Sequence, residues 1–546
     1  MEWIKKANKE DMYLNEILSF DEYMEVFGKY PQRECRSSSK YLMDTLEYYG
    51  RNEFGDFELF HTDHSDAPAV FGQRKTQESI YYNLVNFEDG GINNKFILLV
   101  GPNGSSKSSL VKKIMKGTEE YSKTEEGVLY TFSWVFPVDK ILKGSLGIAS
   151  NSQMEELDTY AKLDDKKISA ILNSELKDHP LLLIPGKYRQ ELIEQKLKED
   201  SAFLSNVKKS YIYQGDMSKR NRMVYDALLK NYKDDHREVL KHIRVERFTI
   251  SRRYSVGAVT IGPQMHVDAK MQQITMDRRL AGLPPSLQSI NLFSLQGEVI
   301  LANRGVLEYS DLLKRPLDAY KYLLSTTESG NINLNGILTD LDIVFIGTSN
   351  EIHLAAFKQH PDFNSFSARF DFVRVPYLLD YKDEEKIYRE QIEGLKEKSL
   401  FEPHSLRLLC MFSIMTRLRA CQSKKYTDKK LAQIVISLNP LEKCILYTTG
   451  ETPERLSSEE KQILKQGIDH IKQEYENENL YEGKFGISPR DIKNIIYKLT
   501  SLYKNITMME MMEYLDELVQ MKNDYDFLSI TPQGDYHHPA RFLSLL

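Results

Sequence analysis

A short segment near residue 100 combines the residue types that bind the phosphates of a nucleotide. Gly101 is followed by four residues and then by Ser106, Lys107 and Ser108. In a loop of this kind, backbone N–H groups surround the phosphates at a helix N-terminus, the lysine reaches the β/γ oxygens, and the hydroxyl ligates Mg²⁺. The segment therefore predicts a site for ATP and Mg²⁺, with Ser108 as a metal ligand. The predicted nucleotide-binding residues are Gly101, Pro102, Asn103, Gly104, Ser105, Ser106, Lys107, Ser108 and Ser109.

Serine at position 106 is a departure from the P-loop pattern G-x-x-x-x-G-K-[ST], which has glycine there. A serine is tolerated if its φ stays negative, whereas a positive φ costs about 1 kcal/mol. The alternative interpretation of the segment is a glycine turn before an ordinary helix. However, the apolar segment 96–100 precedes the loop and an amphipathic segment with Leu110 and Val111 follows it. This order of strand, loop and helix favours nucleotide binding.

Hydrolysis of ATP requires carboxylates that hold Mg²⁺ and polarise water, in addition to the loop. The candidate strand, 302–311, ends in Ser310 and Asp311, where Asp-Glu is usual. We expect Asp311 to be the catalytic and Mg²⁺-coupled carboxylate, with Glu308, which we expect on the same face of the strand, as a second candidate. The alternative is that Asp311 caps the helix that follows it.

Two polar residues further along the chain could assist hydrolysis. Asn350 follows the apolar segment 343–347 and could orient the attacking water if that strand lies beside the P-loop strand. Arg369 could project toward the γ-phosphate of a neighbouring subunit and neutralise charge in the transition state. Each residue alone is a weak signal, because asparagine at a strand end is commonly a turn residue. Their order and spacing favour the catalytic interpretation.

Four apolar segments are predicted to form the parallel sheet that positions these residues: 96–100, 128–132, 306–309 and 343–347. Continuous apolar runs of this length suit strands that are buried on both faces. Helical stretches separate the runs, which predicts an α/β fold. Segment 251–275 alternates polar and apolar residues and contains glycines, which predicts a hairpin.

The rest of the chain is predicted to be mostly helical. Residues 1–65 form a helical N-terminal segment, residues 150–275 a helical and hairpin insertion, and residues 381–546 a helical C-terminal region. The window 208–253 holds thirteen Lys and Arg residues against six Asp and Glu residues. We interpret this window as a solvated helical surface, with a dedicated binding surface as the alternative.

Composition excludes several classes of protein. The net charge of −6 argues against a nucleic-acid polycation, so nucleic acid is not expected as a partner. Four cysteines without a CxxC pair fit a reducing compartment and argue against a zinc site. The N-terminus has no apolar signal region, and no run is long enough to cross a bilayer. A cytoplasmic enzyme without a membrane segment is therefore expected.

The order of these motifs is similar to that in AAA+ ATPases, and the chain resembles the bacterial PrkA family, often named serine protein kinases. Segments 98–110, 302–316 and 487–491 carry this resemblance. It implies an AAA+ core within 66–380, a helical lid, and Arg490 as the lid arginine opposite the γ-phosphate. It also implies homo-oligomers formed through AAA+ interfaces, a protein client or substrate, and a role in stress or developmental responses.

Three classes of function remain open after these observations. The protein could be a serine/threonine kinase, an AAA+ motor that remodels or processes a protein client, or a nucleotide-gated scaffold with little turnover. A eukaryotic-type kinase needs a His-Arg-Asp motif, which is absent, and Asp371-Phe-Val resembles Asp-Phe-Gly only superficially. Phosphorylation would therefore have to use the P-loop site or an unrecognised one. A Lon-like protease would need a Ser–Lys dyad, and no C-terminal segment indicates one.

Overall fold

The computed structural model describes residues 15–90, 95–138, 157–263, 270–273, 293–317, 322–334, 336–395, 399–521 and 524–546. The strands are β1 (Ile17–Leu18), β2 (Phe96–Val100), β3 (Leu129–Pro137), β4 (Ile168–Asn173), β5 (Ile243–Phe248), β6 (Ala258–Ile261), β7 (Lys270–Gln273), β8 (Phe293–Gln296), β9 (Gly305–Tyr309), β10 (Asn331–Leu334), β11 (Ile337–Asp340), β12 (Ile343–Ser349), β13 (Phe370–Arg374), β14 (Leu400–Phe401) and β15 (Asn505–Ile506).

The helices up to the end of the parallel sheet are α1 (Phe20–Lys29), α2 (Pro31–Glu34), α3 (Ser38–Tyr49), α4 (Glu58–His61), α5 (Arg74–Gly90), α6 (Lys107–Tyr121), α7 (Gly186–Leu197), α8 (Ser201–Val207), α9 (Tyr211–Gln214), α10 (Lys219–Asn231), α11 (His236–Leu240), α12 (Glu298–Leu301), α13 (Tyr322–Ser329), α14 (Glu351–Lys358) and α15 (Phe363–Ser367). Those that follow are α16 (Tyr381–Leu395), α17 (Ser405–Arg417), α18 (Lys429–Ile436), α19 (Pro440–Thr449), α20 (Ser458–Gln473), α21 (Pro489–Leu502), α22 (Met508–Gln520) and α23 (Pro539–Leu545).

A five-stranded parallel sheet positions the phosphate loop. Its strand order is β13-β2-β12-β9-β6, and every neighbouring pair is parallel. Strands β2, β9 and β12 are buried along their whole length, as their continuous apolar sequences predict. The α/β prediction is confirmed. Since the strands are parallel, their carboxyl ends meet at the edge of the sheet where the loop begins.

The apolar segment 128–132 belongs to a different sheet from the one predicted. It lies mostly in β3, within a four-stranded antiparallel sheet of order β1-β5-β3-β4. The prediction that it joins the parallel sheet is wrong. An apolar run indicates burial on both faces, but it does not indicate which strand will be its neighbour.

Segment 251–275 does not form the predicted hairpin. Ser251 and Val256 make an antiparallel bridge, but β6 then runs as an edge strand of the parallel sheet, beside β9. Strand β7 pairs with β8, which lies beyond the predicted hairpin. Residues 264–269 and 274–275 lie outside the described residues. The hairpin was inferred from alternation, and alternation does not identify the partner of a strand.

The predicted insertion at 150–275 contains strands as well as helices. Helices α7 to α11 lie within it, but so do β4 and β5, which both pair with β3. The antiparallel sheet and these helices share one apolar core, which includes Trp134, Ile193 and Val224. Residues 150–156 of the insertion lie outside the described residues.

The two ends of the chain are largely helical. Helices α1 to α4 lie within residues 1–65, of which 1–14 lie outside the described residues. Helices α16 to α23 begin at Tyr381 and surround one apolar core that includes Leu409 and Ile492. Across the described ranges, no helix is long and apolar enough to cross a membrane.

Candidate nucleotide-binding site

The phosphate loop follows β2 directly and leads into α6. Gly101 lies so close to the chain beyond β13 that an added Cβ would be 2.1 Å from the carbonyl oxygen of Val375. Gly104 has a φ of 87°, and Ser106, the N-cap of α6, has a φ of 71°. Serine therefore adopts the left-handed conformation that glycine would adopt more easily. The strain of about 1 kcal/mol that a positive φ implies is present.

Lys107 is buried at the base of the loop. Its Nζ donates hydrogen bonds to the carbonyl oxygens of Gly101, at 2.9 Å, and Pro102, at 2.7 Å. Burial lowers the pKa of the ammonium group to about 8, and the positive charge of Arg490 acts in the same direction. The carboxylate of Asp311 opposes this shift of the pKa. The lysine, the lid arginine and the candidate carboxylate are thus close enough to influence one another.

A cavity of about 470 Å³ opens in front of the loop. The loop, the turn after β9 and the start of α21 all contribute to its lining. The charged residues of the lining are five cations and one carboxylate: Lys107, Lys314, Lys386, Arg490, Lys493 and Asp311. This excess of positive charge suits a polyphosphate, and the volume suits a small-molecule ligand.

The cavity also has apolar lining residues, to which the sequence did not point. They are Pro68, Ala69, Val70, Phe71 and Ile387, and Nζ of Lys386 lies 5.9 Å from the ring centre of Phe71. The N–H of Val70 donates to the carbonyl oxygen of Phe60 at 2.8 Å. Lys113 of α6 donates to the carbonyl oxygens of Ala67, at 2.9 Å, and Thr62. These bonds attach the apolar wall to the P-loop helix, and such a wall suits a nucleotide base.

Asp311 lies in the lining of the cavity, as the sequence predicts. Its backbone is left-handed, with a φ of 49°, and its N–H donates to Oγ1 of Thr348 on β12 at 3.0 Å. Its Oδ2 accepts from Nζ of Lys314 at 2.5 Å. The carboxylate makes no capping hydrogen bond to the short helix that follows. The capping alternative is therefore not what the structure shows, and the carboxylate remains at the site.

Glu308 does not line the cavity. It is 2% exposed within β9, and its Oε2 accepts from Oγ1 of Thr260 on β6 at 2.8 Å. Burial raises the pKa of this carboxyl group. Asp311 lies two residues beyond the end of β9 and has a left-handed backbone, so the prediction that the two carboxylates share a face of the strand is wrong. The structure therefore does not bring this second candidate to the site.

Asn350 follows β12, which does lie beside the P-loop strand. Its Oδ1 accepts from the N–H of His353 at 2.9 Å, so the side chain caps α14. It is buried but does not line the cavity. The strand that precedes Asn350 has the predicted position beside the P-loop strand. The side-chain oxygen, however, accepts a hydrogen bond from the helix that follows, as in the turn-residue alternative.

Arg369 lies at the edge of the sheet opposite to the loop. Its carbonyl oxygen accepts from the N–H of Phe96, the first residue of β2, at 2.9 Å. Its guanidinium donates to Ser365 at 2.6 Å and to Glu328 at 2.8 Å. The length of β2 therefore separates Arg369 from the P-loop of its own chain.

Arg490 approaches the loop from α21. It lines the cavity, and its Cγ would be 3.6 Å from a Cβ added to Gly104. The helix is fixed by a capping box in which Ser488 and Asp491 each bond the backbone of the other. The start of the lid helix thus lies directly over the loop, in the place that the resemblance implies for this arginine.

The residues present fit Mg²⁺ bound together with a nucleotide. Ser108 and Asp311 both line the cavity and offer oxygen ligands. Within the described part of the chain, no group of three or more His, Cys, Asp or Glu side chains could hold a metal ion. In the usual Mg²⁺ site, one or two carboxylates act together with the phosphates of the substrate.

The basic window 208–253 does not form a single positive surface. Several of its cations pair with nearby carboxylates: Lys208 with Glu194, Arg220 with Glu175, Arg222 with Asp216, and Lys241 with Glu238. Arg244 and Arg247 are buried. The structure therefore favours the solvated helical surface over a dedicated binding surface.

Two protein-family models match the chain. The first, described as the PrkA AAA domain, matches residues 139–425, which is more than half of the chain. The second, described as the PrkA serine protein kinase C-terminal domain, matches residues 441–546. The first match begins after the phosphate loop, so the assignment of the loop rests on its own pattern and geometry.

Curated relatives carry two different activities in their names. The chain is 24% identical to the "ATP-dependent protease PrkA" of Bacillus subtilis (strain 168) over 555 residues, covering 99% of this chain and 72% of the relative. It is 27% identical to the "Serine/threonine kinase YeaG" of Escherichia coli (strain K12) over 140 residues, covering 25% of this chain and 22% of the relative.

Similarity to solved structures is weak. NtrX from Brucella abortus in complex with ATP shares 12% identity across 57% of this chain and 75% of its own, with a TM-score of 0.18. So low a score carries no argument about the fold, which rests on the parallel sheet and the family match. Because the family model covers more than half of its residues, the chain belongs to the PrkA AAA-domain family, with an α/β AAA+ fold.

Proposed function

We propose that this protein binds Mg·ATP between the P-loop and α21 and hydrolyses it. The observation that carries the proposal is that one cavity in front of the loop is lined by both cationic and apolar side chains. The cations suit the phosphates, and the apolar residues Val70, Phe71 and Ile387 suit the base. A glycine turn before an ordinary helix would not require such a cavity.

Each part of the cavity has a separate role in this proposal. The N–H groups of the loop and Lys107 bind the phosphates, and Ser108 and Asp311 hold Mg²⁺, which neutralises charge on the phosphates. Asp311 also polarises the attacking water once Lys314, its present partner, turns toward the phosphates. Arg490 contacts the γ-phosphate from the lid. Val70, Phe71 and Ile387 form the wall against which the adenine packs.

One assay separates the classes of function that the family leaves open. Purified protein is incubated with γ-labelled ATP and Mg²⁺, with and without casein as a candidate protein substrate. Free labelled phosphate without labelled protein supports an ATPase motor, and label on protein serine supports a kinase. Binding of ATP without either product supports a scaffold and contradicts the proposed hydrolysis. Absence of ATP binding contradicts the proposal as a whole.

We also propose that hydrolysis requires assembly of several copies. Arg369 lies at the edge of the sheet away from its own loop, so it could act only at a neighbouring subunit. We expect Arg369→Ala to reduce kcat for hydrolysis by about 10³-fold while ATP affinity stays within twofold. The measurements are the ATPase rate and ATP titration by calorimetry.

Arg455→Ala serves as the matched control for this assembly experiment, because Arg455 also pairs with a carboxylate, that of Glu442, and does not line the cavity. A mixture of Arg369→Ala and Lys107→Ala proteins should recover part of the activity, since each variant supplies what the other lacks. Full hydrolysis by monomeric Arg369→Ala protein would contradict the assembly proposal.

A further inference from the structure

We propose that Glu351 and Tyr481 couple the nucleotide cavity to the lid. In this proposal the lid segment 476–488 leads into α21 and is bonded to the Glu351 carboxylate. Movement of the chain around the phosphate loop is transmitted to the segment through this carboxylate. Both would be positioning residues rather than catalytic ones. The inference rests on the proposed function and adds to it the path by which occupancy of the cavity reaches the C-terminal helices.

The first contact joins the end of β12 to the lid. Glu351 directly follows Asn350, at the carboxyl end of the strand beside the P-loop strand. Its Oε1 accepts from the hydroxyl of Tyr481 at 2.5 Å, and its Oε2 lies 3.4 Å from Nζ of Lys484. Both carboxylate oxygens are therefore engaged by the lid. The side chain is 19% exposed, so water screens this pairing only partly.

The second contact joins the loop itself to the same lid segment. The hydroxyl of Tyr377 donates to the carbonyl oxygen of Asn103, inside the phosphate loop, at 2.7 Å. The N–H of Tyr377 donates to the carbonyl oxygen of Gly483 at 2.8 Å. A shift of the loop would thus move Tyr377 and, through it, Gly483, which is two residues from Tyr481.

The third contact involves the strand on the other side of β2. Arg374 ends β13 and is paired in register with Val100, the last residue before the loop. Its guanidinium lies 5.0 Å from the ring centre of Tyr481, and its Nη1 donates to the carbonyl oxygen of Glu476 at 2.5 Å. The Tyr481 ring is consequently held between two strand ends that flank the phosphate loop.

The lid segment continues rigidly into the helix that carries the lid arginine. The carbonyl oxygen of Ile487 accepts from Nη2 of Arg417 at 2.9 Å, and its N–H donates to Oγ1 of Thr416 at 3.0 Å. Ser488 then caps α21, and Arg490 enters the cavity in its first turn. Phosphates that draw Arg490 and the loop together would therefore also shift Tyr481 relative to Glu351.

The nearby charges give Glu351 a direct link to the cavity as well. Its carboxylate contributes to raising the pKa of Lys107, against the larger effect of burial. A nucleotide that brings negative phosphates to Lys107 therefore also repels Glu351. Tyr481 and Lys484 are the groups that hold the carboxylate in place against this repulsion.

The test uses the full chain and Tyr481→Phe, which removes the hydroxyl and keeps the ring. We expect ATP affinity to stay within twofold, while the ATP-dependent protection of α21 from hydrogen exchange falls by about tenfold, as for loss of one charge-assisted hydrogen bond. Where hydrolysis is measurable, kcat should fall and KM should not. Tyr497→Phe is the matched control, because this lid tyrosine is 53% exposed.

Glu351→Gln provides a second variant should Tyr481→Phe fail to fold. Its amide can still accept the tyrosine hydroxyl but loses the attraction to Lys484, so we expect a smaller loss of protection in α21. Unchanged ATP-dependent protection in both variants would overturn the proposed coupling. Wild-type protein that binds ATP without any change in α21 would overturn it too, whereas wild-type protein that does not bind ATP would overturn the proposed function instead.

Discussion

The nucleotide cavity and the interior of the lid both concentrate positive charge, but they differ in the number of carboxylates that accompany the cations. In the lid, Arg417 is fully buried and bonds both oxygens of Glu384, at 2.8 and 3.0 Å, and Lys443 pairs with Glu482 at 2.7 Å. In the cavity, five cations share the lining with one carboxylate. A buried cation with its own carboxylate supports the fold, whereas cations that outnumber the carboxylates lining a cavity suit an anionic ligand.

The same contrast extends to single residues of the cavity. Lys386 lines it but also pairs with Asp383 at 2.7 Å, whereas Lys107 donates to two carbonyl oxygens of its own loop. Neutral carbonyl oxygens do not cancel the charge of the ammonium group. Of these two lysines, Lys107 therefore has more to gain from a phosphate.

The largest expected effect is the loss of stability when a buried cation is removed from the lid. Arg417→Met would leave Glu384 buried without its cation, so we expect the free energy of unfolding to fall by about 3–5 kcal/mol. Urea denaturation followed by circular dichroism measures it. Arg455→Met is the control, because Arg455 pairs with Glu442 at the surface and its loss should cost less than about 1 kcal/mol. Equal losses of unfolding free energy in the two variants would contradict the structural role of the buried ion pair.

The next effect lies in the cavity and should leave the fold intact. Lys107→Ala removes the cation that faces the phosphates, and we expect ATP affinity to fall on the order of 100-fold. Calorimetric titration measures the affinity, and circular dichroism checks the fold. Lys112→Ala, on the exposed side of the same helix, should leave affinity unchanged. Unchanged affinity in Lys107→Ala would contradict the site assignment.

The pKa of Lys107 gives a smaller, pH-dependent effect. Because burial lowers it to about 8, the ammonium is charged below that pH and loses its proton above it. Phosphates bind the charged form, so we expect ATP affinity to be highest below pH 8 and to fall up to tenfold per pH unit above it. Titrations from pH 7 to about 9.5 test this. Lys107→Arg should show a flatter profile, because arginine stays charged throughout.

The smallest effect concerns the departure from the P-loop pattern. Ser106→Gly removes a side chain from a left-handed residue, so we expect the free energy of unfolding to rise by about 1 kcal/mol. Ser109→Gly, three residues on and inside α6, should lower it by about 0.5–1 kcal/mol. Thermal denaturation of both variants measures the difference, and shifts in the same direction would show that the strain at Ser106 is not the cause.

Part of the site follows from the sequence because its signals are local. The strand, loop and helix around residues 96–115 are encoded by neighbouring residues, and the structure has them in that form. Asp311 and Arg490 reach the cavity as predicted. Their roles in binding and hydrolysis stay predictions. The sequence left the sign of φ at Ser106 open, and the structure shows that it is positive.

The sequence alone determined several of the buried strands and helices, and where a phosphate could bind, because burial and backbone shape leave patterns within a few residues. Only the tertiary structure decided that 128–132 joins a second sheet, that Glu308 turns away from the cavity, and that Phe71 and Ile387 form its apolar wall. These outcomes depend on contacts between residues far apart in the chain, for which a short pattern carries no information.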